Sequence, residues 1–308
     1  MHDIVIRGGT IVDGTGADAF VADIAINEGV ITHIAPSISE DAKQVINASG
    51  HIVTPGWVDV HTHYDGQVTW DEDLEPSATN GVTTLVMGNC GVGFAPVRPG
   101  SEAPLIDIME GVEDIPGSAL VEGMPWGAWE SFPEYLDFLD TRKFSIDVGT
   151  QIAHGALRFY VMGERGTDNE DATPAEIAEM AQLTKEAMDA GALGFSTSRT
   201  IGHRSLSGSP VPGTFAAEEE LVAIANAMGK GVFEAIPAGT VGALEALGGE
   251  KAKPVEEVMM LADVSRKSGR PITFTTVQIA EDIDHWRDVL NAVSAENANG
   301  AQLRPQVA

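Results

Sequence analysis

The run Pro55-Gly56-Trp57-Val58-Asp59-Val60-His61-Thr62-His63-Tyr64-Asp65 decides the fold, because an apolar strand signal leads straight into two histidines one residue apart. Side chains repeat every second residue along a strand, so Asp59, His61 and His63 share one face, and two imidazoles there can reach a single cation. Alone, a His-x-His pair more often marks two polar residues at a strand end. Its surroundings turn the reading toward a metal.

Upstream, DIVIRGGTIVDG (residues 3–14), VADIAINEGVITHIA (21–35) and QVINASGHIVTPG (44–56) alternate apolar residues between Gly and Asn breaks, the pattern of short β-strands. Downstream, short apolar runs alternate with longer amphipathic stretches, the signature of repeated βα units. Strands are predicted at Trp57–His63, Thr83–Gly88, Ser145–Ala153, Ala192–Ser196, Gly231–Ile236, Pro271–Val277 and Gln302–Ala308. Helices are predicted at Pro174–Ala190, Ala216–Met228, Val255–Ser268 and Glu281–Ala298. The fold class is α/β: an incomplete (β/α)8 TIM-type barrel over residues 56–308, preceded by a small N-terminal β-sandwich portion over residues 1–55. A barrel closes with its eighth strand, so seven strands predict a fragment of a longer chain with open sheet edges. The proline-rich connection from Cys90 to Ser145 is predicted to be a long loop on the catalytic face that shapes the substrate site.

The opening IVIRGGTIVDGTG, the strand Gly29-Val30-Ile31-Thr32-His33-Ile34 and the segment TPGWVDVHTHYD together closely resemble the amidohydrolase superfamily. The motif Gly88-Asn89-Cys90-Gly91 narrows the resemblance to the N-acyl-D-amino-acid deacylases, or D-aminoacylases, whose cysteine in this motif supplies a metal ligand. Gly155-Ala156-Leu157-Arg158 and Gly191-Ala192-Leu193-Gly194-Phe195-Ser196-Thr197 extend it along the chain. By that resemblance His61, His63 and Cys90 are metal ligands. A thiolate beside two imidazoles suits zinc, and coordination would deprotonate it. The chain departs from the family on its fifth and sixth barrel strands, where the usual metal-binding histidines are missing from 231–236 and 271–278.

Glu234 lies in the middle of the apolar fifth strand. An ionised acid there must be paired or bound to a cation, so it is a fourth metal candidate, with a structural ion pair or hydrogen bond as the equal alternative. The substrate-binding candidates are Arg199, His203, Arg204 and His154. A guanidinium fork binds a carboxylate bidentately, and pairing with one of the many acids is the alternative for each arginine. His154 ends a strand, where site residues and ordinary hydrogen-bonded histidines both occur. Thr275 and Gln278 are weaker candidates for polar substrate contacts. His2, His33, His51 and His285 are assigned to ordinary structure.

Eighteen Lys+Arg against 46 Asp+Glu leave a net charge of −28, which repels nucleic acid and anionic membrane surfaces. A single cysteine and no secretory leader pattern predict a reducing cytoplasm, and no run has the length and apolarity to cross a bilayer. The resemblance implies an amidohydrolase that holds one or two Zn2+ ions and removes the acyl group from a small-molecule N-acyl-(D-)amino acid. Its aspartate base is expected beyond residue 308, so no catalytic residue is assigned within the chain. Two other functions stay open. One is a catalytically silent binding or scaffold protein. The other is a cyclic-amide hydrolase of the hydantoinase or dihydroorotase kind, which usually needs a fourth-strand lysine that Ala192–Thr197 lacks.

Overall fold

The computed structural model describes residues 1–280 and 282–307. Glu281 and Ala308, the predicted start of the last helix and end of the last strand, lie outside the described residues. The chain divides into two compact units, Met1–Trp57 and Val58–Ala308.

The first unit is one five-stranded sheet built from β1 (His2–Ile11), β2 (Phe20–Asn27), β3 (Val30–Ala35), β4 (Ala42–Asn47) and β5 (Ile52–Val53). Strands β1, β2 and β3 meander antiparallel, while β4 and β5 pair parallel with β1. Glu28 and Gly29 both take positive φ between β2 and β3, the geometry that a two-residue hairpin demands. Val5, Ala25 and Ile38 form one small core and Ile11, Ala22 and Ile24 another. Buried Asp23 ties them together, one oxygen accepting from the Gly8 N–H (2.8 Å) and the other from the Ile38 N–H (2.9 Å).

The second unit is built on a curled sheet of seven strands in sequence order. They are β6 (Trp57–Asp59), β7 (Val82–Met87), β8 (Asp147–Ala153), β9 (Gly194–Ser198), β10 (Val232–Ile236), β11 (Ile272–Thr276) and β12 (Leu303–Val307). Pairings from β7 to β12 are parallel. Among the described residues the path ends at β6 on one side and β12 on the other, a half-barrel. Leu85, Ile152, Phe195, Phe233, Ile272 and Leu303 carry the core through successive strands, and β9 is buried along its whole length, as expected of a parallel strand covered on both faces.

The helices are α1 (Ala103–Glu113), α2 (Gly117–Gly123), α3 (Phe132–Asp140), α4 (His154–Met162), α5 (Glu164–Thr167), α6 (Pro174–Ala190), α7 (Glu218–Ala227), α8 (Pro254–Ser268) and α9 (His285–Ala298). Helix α6 begins where Thr173 and Glu176 form a reciprocal cap with Pro174 in the first turn. Among the described residues, no helix is long and apolar enough to cross a membrane.

Two expectations need correction. The first barrel strand ends at Asp59, not His63. Beyond it only Thr62 stays on β7, donating from its amide (3.0 Å) and its hydroxyl (2.8 Å) to the Val86 carbonyl, so loop backbone delivers both histidines. The 90–145 connection is also no loop, since α1, α2 and α3 lie within it. Three of its six prolines open helices: Pro104 and Pro133 sit in first turns, and Pro116 caps α2.

Candidate metal centre

His61, His63 and Cys90 meet at the mouth of the half-barrel, with one donor atom from each lying within 4.8 Å of the others. His61 Nε2 is 3.1 Å from Cys90 Sγ and His63 Nε2 is 3.5 Å from it. His61 Nδ1 faces Gln306 Oε1 of β12 at 2.9 Å. With the proton on Nδ1 donated there, the Nε2 lone pair is left pointing at the sulfur.

Backbone geometry explains why Cys90 needs its neighbours. Cys90 takes φ +57, in the left-handed region, between Gly88 (φ +77) and Gly91 (φ +68). A Cβ at Gly88 would lie 2.2 Å from the Gln151 carbonyl oxygen, and one at Gly91 would lie 2.9 Å from the Ser198 nitrogen. Asn89 pins the turn. Its amide nitrogen donates to the carbonyls of Thr62 (3.2 Å) and Val86 (2.9 Å), and its oxygen accepts from Gln151 (2.7 Å).

Glu234 is fully buried on β10. One of its oxygens accepts from the Cys90 N–H at 3.1 Å. The other has no hydrogen-bond partner and lies 3.9 Å from His61 Nδ1, on the ring edge away from the sulfur. Burial pushes its carboxyl up to about 8, against the opposing pull of the Cys90 amide. Burial also drives His63 down to about 3, helped by His61 and His203, so its imidazole is neutral. The Cys90 thiol is pushed well up by burial and then by Glu234, Glu113 and Asp65. A thiolate in so acidic a setting needs a cation beside it.

The cluster opens into a cavity of about 430 Å³, lined also by Glu113, His203, Ile236, Val241, Thr275 and Gln306, with no Lys or Arg among the described residues that line it. His203 is held through Nδ1 by the Ser198 hydroxyl at 3.0 Å, and burial lowers its pKa to about 4. The buried Thr275 hydroxyl is unpartnered. Gln278 is exposed and does not line the cavity.

The other substrate candidates lie away from it. Arg199 forms a two-pronged pair with Glu257 (2.7 and 3.2 Å) and donates to the Ala216 carbonyl (3.0 Å), so its fork is occupied. Arg204 donates to the Gly208 carbonyl within its own loop (2.6 Å). His154 has no exposure. Its Nδ1 meets the Thr197 hydroxyl (2.8 Å) and its Nε2 meets Glu220 (2.7 Å), which in turn accepts from buried Arg158.

Sequence reasoning passed over three groups, two that line the cavity and one, Asp65, buried outside its lining. Glu113, the last residue of α1, places Oε2 3.3 Å from His63 Nε2, and burial and Asp114 push its carboxyl up to about 7. Asp65 is buried with one oxygen unpartnered, and burial pushes it up to about 8. Gln306 is the third. Asp65 stood two residues beyond His63, the one positional signal among them.

A sequence profile described as the Amidohydrolase family matches residues 44–305. D-aminoacylase from Alcaligenes xylosoxydans xylosoxydans is 32% identical over 195 residues, which are 63% of this chain and 37% of that protein. An uncharacterised Mycobacterium tuberculosis protein is 35% identical over 200 residues, 63% of this chain and 32% of that protein. Matches thus span about a third of these relatives' length. Among solved structures, N-acyl-D-glutamate deacylase from Bordetella bronchiseptica, complexed with zinc and a phosphonate mimic of the tetrahedral intermediate, is similar with TM-score 0.78 and 26% identity over 99% of this chain and 58% of that one.

Proposed function

The chain belongs to the amidohydrolase family, and from that premise we propose that it carries the metal-holding part of a zinc-dependent hydrolase that removes the acyl group from N-acyl-D-amino acids. The observation that carries the proposal is the convergence of two imidazole nitrogens and a sulfur on one point facing a cavity. The residues fit an ion on two further grounds. A buried carboxylate oxygen of Glu234 beside the cluster has no partner, and no basic side chain of the described lining offsets the surrounding acids. The donor set, two neutral nitrogens and a thiolate, suits Zn2+, as one ion or two. The zinc and phosphonate in the Bordetella deacylase support the same choice.

His61, His63 and Cys90 hold the ion. Glu234 supports them by fixing the Cys90 amide, and its charge is compensated by the ion. When bound, zinc polarises the amide carbonyl and lowers the pKa of water toward neutrality. His203, neutral and anchored through Nδ1 to Ser198, presents its other ring edge to the substrate as a polar contact. Apolar Ile236 and Val241 give the acyl chain a surface. Arg199 and His154 take no part in binding, because their polar atoms are engaged elsewhere, and Arg204 takes none because it lies outside the cavity lining. A small-molecule substrate and a cytoplasmic setting complete the reading.

The test combines metal content with turnover. Purified full-length protein loaded with zinc and desalted should retain about one equivalent or more and hydrolyse an N-acetyl-D-amino acid, and Cys90→Ala should lose both. Less than about half an equivalent, with no amide turnover whether or not metal is added, would favour a silent scaffold, a reading that the histidine-free β10 and β11 motivate.

A further inference from the structure

The metal centre as read from the chain's motifs has three donors, whereas a structural or catalytic zinc takes four ligands, the last often water. We infer that Glu113, delivered by the helix inserted after the second barrel strand, is a protein ligand of the same ion. This rests on the proposed function and goes beyond it, because it takes a donor from a helix inserted between barrel strands.

The measured spacing motivates it. Zinc bonds of about 2.0–2.1 Å to nitrogen, about 2.3 Å to sulfur and about 2.0–2.2 Å to oxygen, at tetrahedral angles, place N and O about 3.3 Å apart and N and S about 3.6 Å apart. Glu113 Oε2 stands 3.3 Å from His63 Nε2, and Cys90 Sγ stands 3.5 Å from the same nitrogen. Two edges of a coordination tetrahedron meeting at His63 are therefore already at length. Glu113 stands outside the three-donor set around His61, and its side-chain torsions would have to close its edges to His61 and Cys90.

The helix itself gives an independent indication. Helix α1 has no acid in its first turn and no base in its last, and it ends on Glu113 followed by Asp114 in the left-handed cap. Negative charge at a helix C-terminus opposes the macrodipole, so Glu113 is badly placed unless a cation faces it. The end of α1 is nevertheless held in place. Gly111 packs so closely on the loop carrying His203 that a Cβ would lie 2.3 Å from the Ser205 carbonyl carbon, and Leu206 and Ser207 bond to Asp107.

The experiment compares zinc affinity, by competition with a chromogenic chelator, and the visible spectrum of the Co2+-loaded protein in wild type, Glu113→Gln, Glu113→Asp and the control Glu110→Gln. Expected are a loss of more than about 100-fold in Glu113→Gln with a changed Co2+ ligand-field band, partial recovery in Glu113→Asp, and a wild-type profile in Glu110→Gln. An unchanged Co2+ band in Glu113→Gln, with either unaltered affinity or a loss of about 10- to 100-fold, describes a residue that merely orients His63 and overturns the assignment. A wild type that binds neither metal overturns the proposed function itself, and this ligand with it.

Discussion

Arg158→Met should destabilise the second unit by about 3–5 kcal/mol, the cost of leaving one partner of a buried ion pair unpaired. Arg158 is 1% exposed, and its guanidinium donates to both oxygens of Glu220 and to the Glu170 carbonyl. Against burial, which pushes it up, the contacts with His154 and Arg158 hold the Glu220 carboxyl at about 2, below its ordinary value near 4.5. At 1.36 kcal/mol per pH unit that depression corresponds to about 3 kcal/mol, which His154 and Arg158 share. Removing the guanidinium gives up the Arg158 share and leaves the His154 contact in place. In urea unfolding followed by tryptophan fluorescence, a slope of about 3 kcal/mol/M turns the loss into a midpoint lower by about 1 M or more. The double variant Arg158→Met/Glu220→Gln should regain part of it, since no unpaired charge remains. A single variant whose midpoint stays within about 0.2 M of wild type would refute the reasoning.

Acid should expose the same network. A carboxylate whose folded pKa is depressed adds stability above its unfolded value, so the Glu220 contribution should fade as pH falls from about 4.5 toward 2, and Glu220→Gln should flatten that part of a stability-versus-pH curve. Arg199→Met should leave KM for acidic N-acyl substrates unchanged while costing about 1–3 kcal/mol by stranding buried Glu257; a selective rise in KM would return Arg199 to the substrate site. Gly91→Ala should weaken zinc binding by about 10-fold or more, because its Cβ would lie 3.1 Å from Thr197 Cα at φ +68 and displace Cys90; equal affinity by chelator competition would show that the turn has slack.

Much of the architecture was legible because local pattern and tertiary role agree. Helix α6 was predicted at its observed bounds because Thr173, Pro174 and Glu176 write a cap that works through neighbours alone. The strands of the half-barrel were found within a few residues because a parallel strand buried on both faces must be a short continuous apolar run. The helices between Cys90 and Ser145 were missed because proline reads as a breaker unless the first turn that it opens is recognised. The roles given to Arg199 and His154 rested on residue type near a strand end. Their partners, Glu257 and Glu220, come from helices 58 and 66 residues away.

By itself, then, the chain's order of residues determined the alternation of strands and helices and the family, since each is written in patterns a few positions long. Tertiary structure alone decided which charged groups face the cavity. Glu113 is separated from His63 by 50 positions and Gln306 from His61 by 245, and only the curl of the sheet and the packing of α1 bring their oxygens to those rings. Electrostatic partners are selected by distance in space and by the exclusion of water, and neither quantity is carried by local sequence.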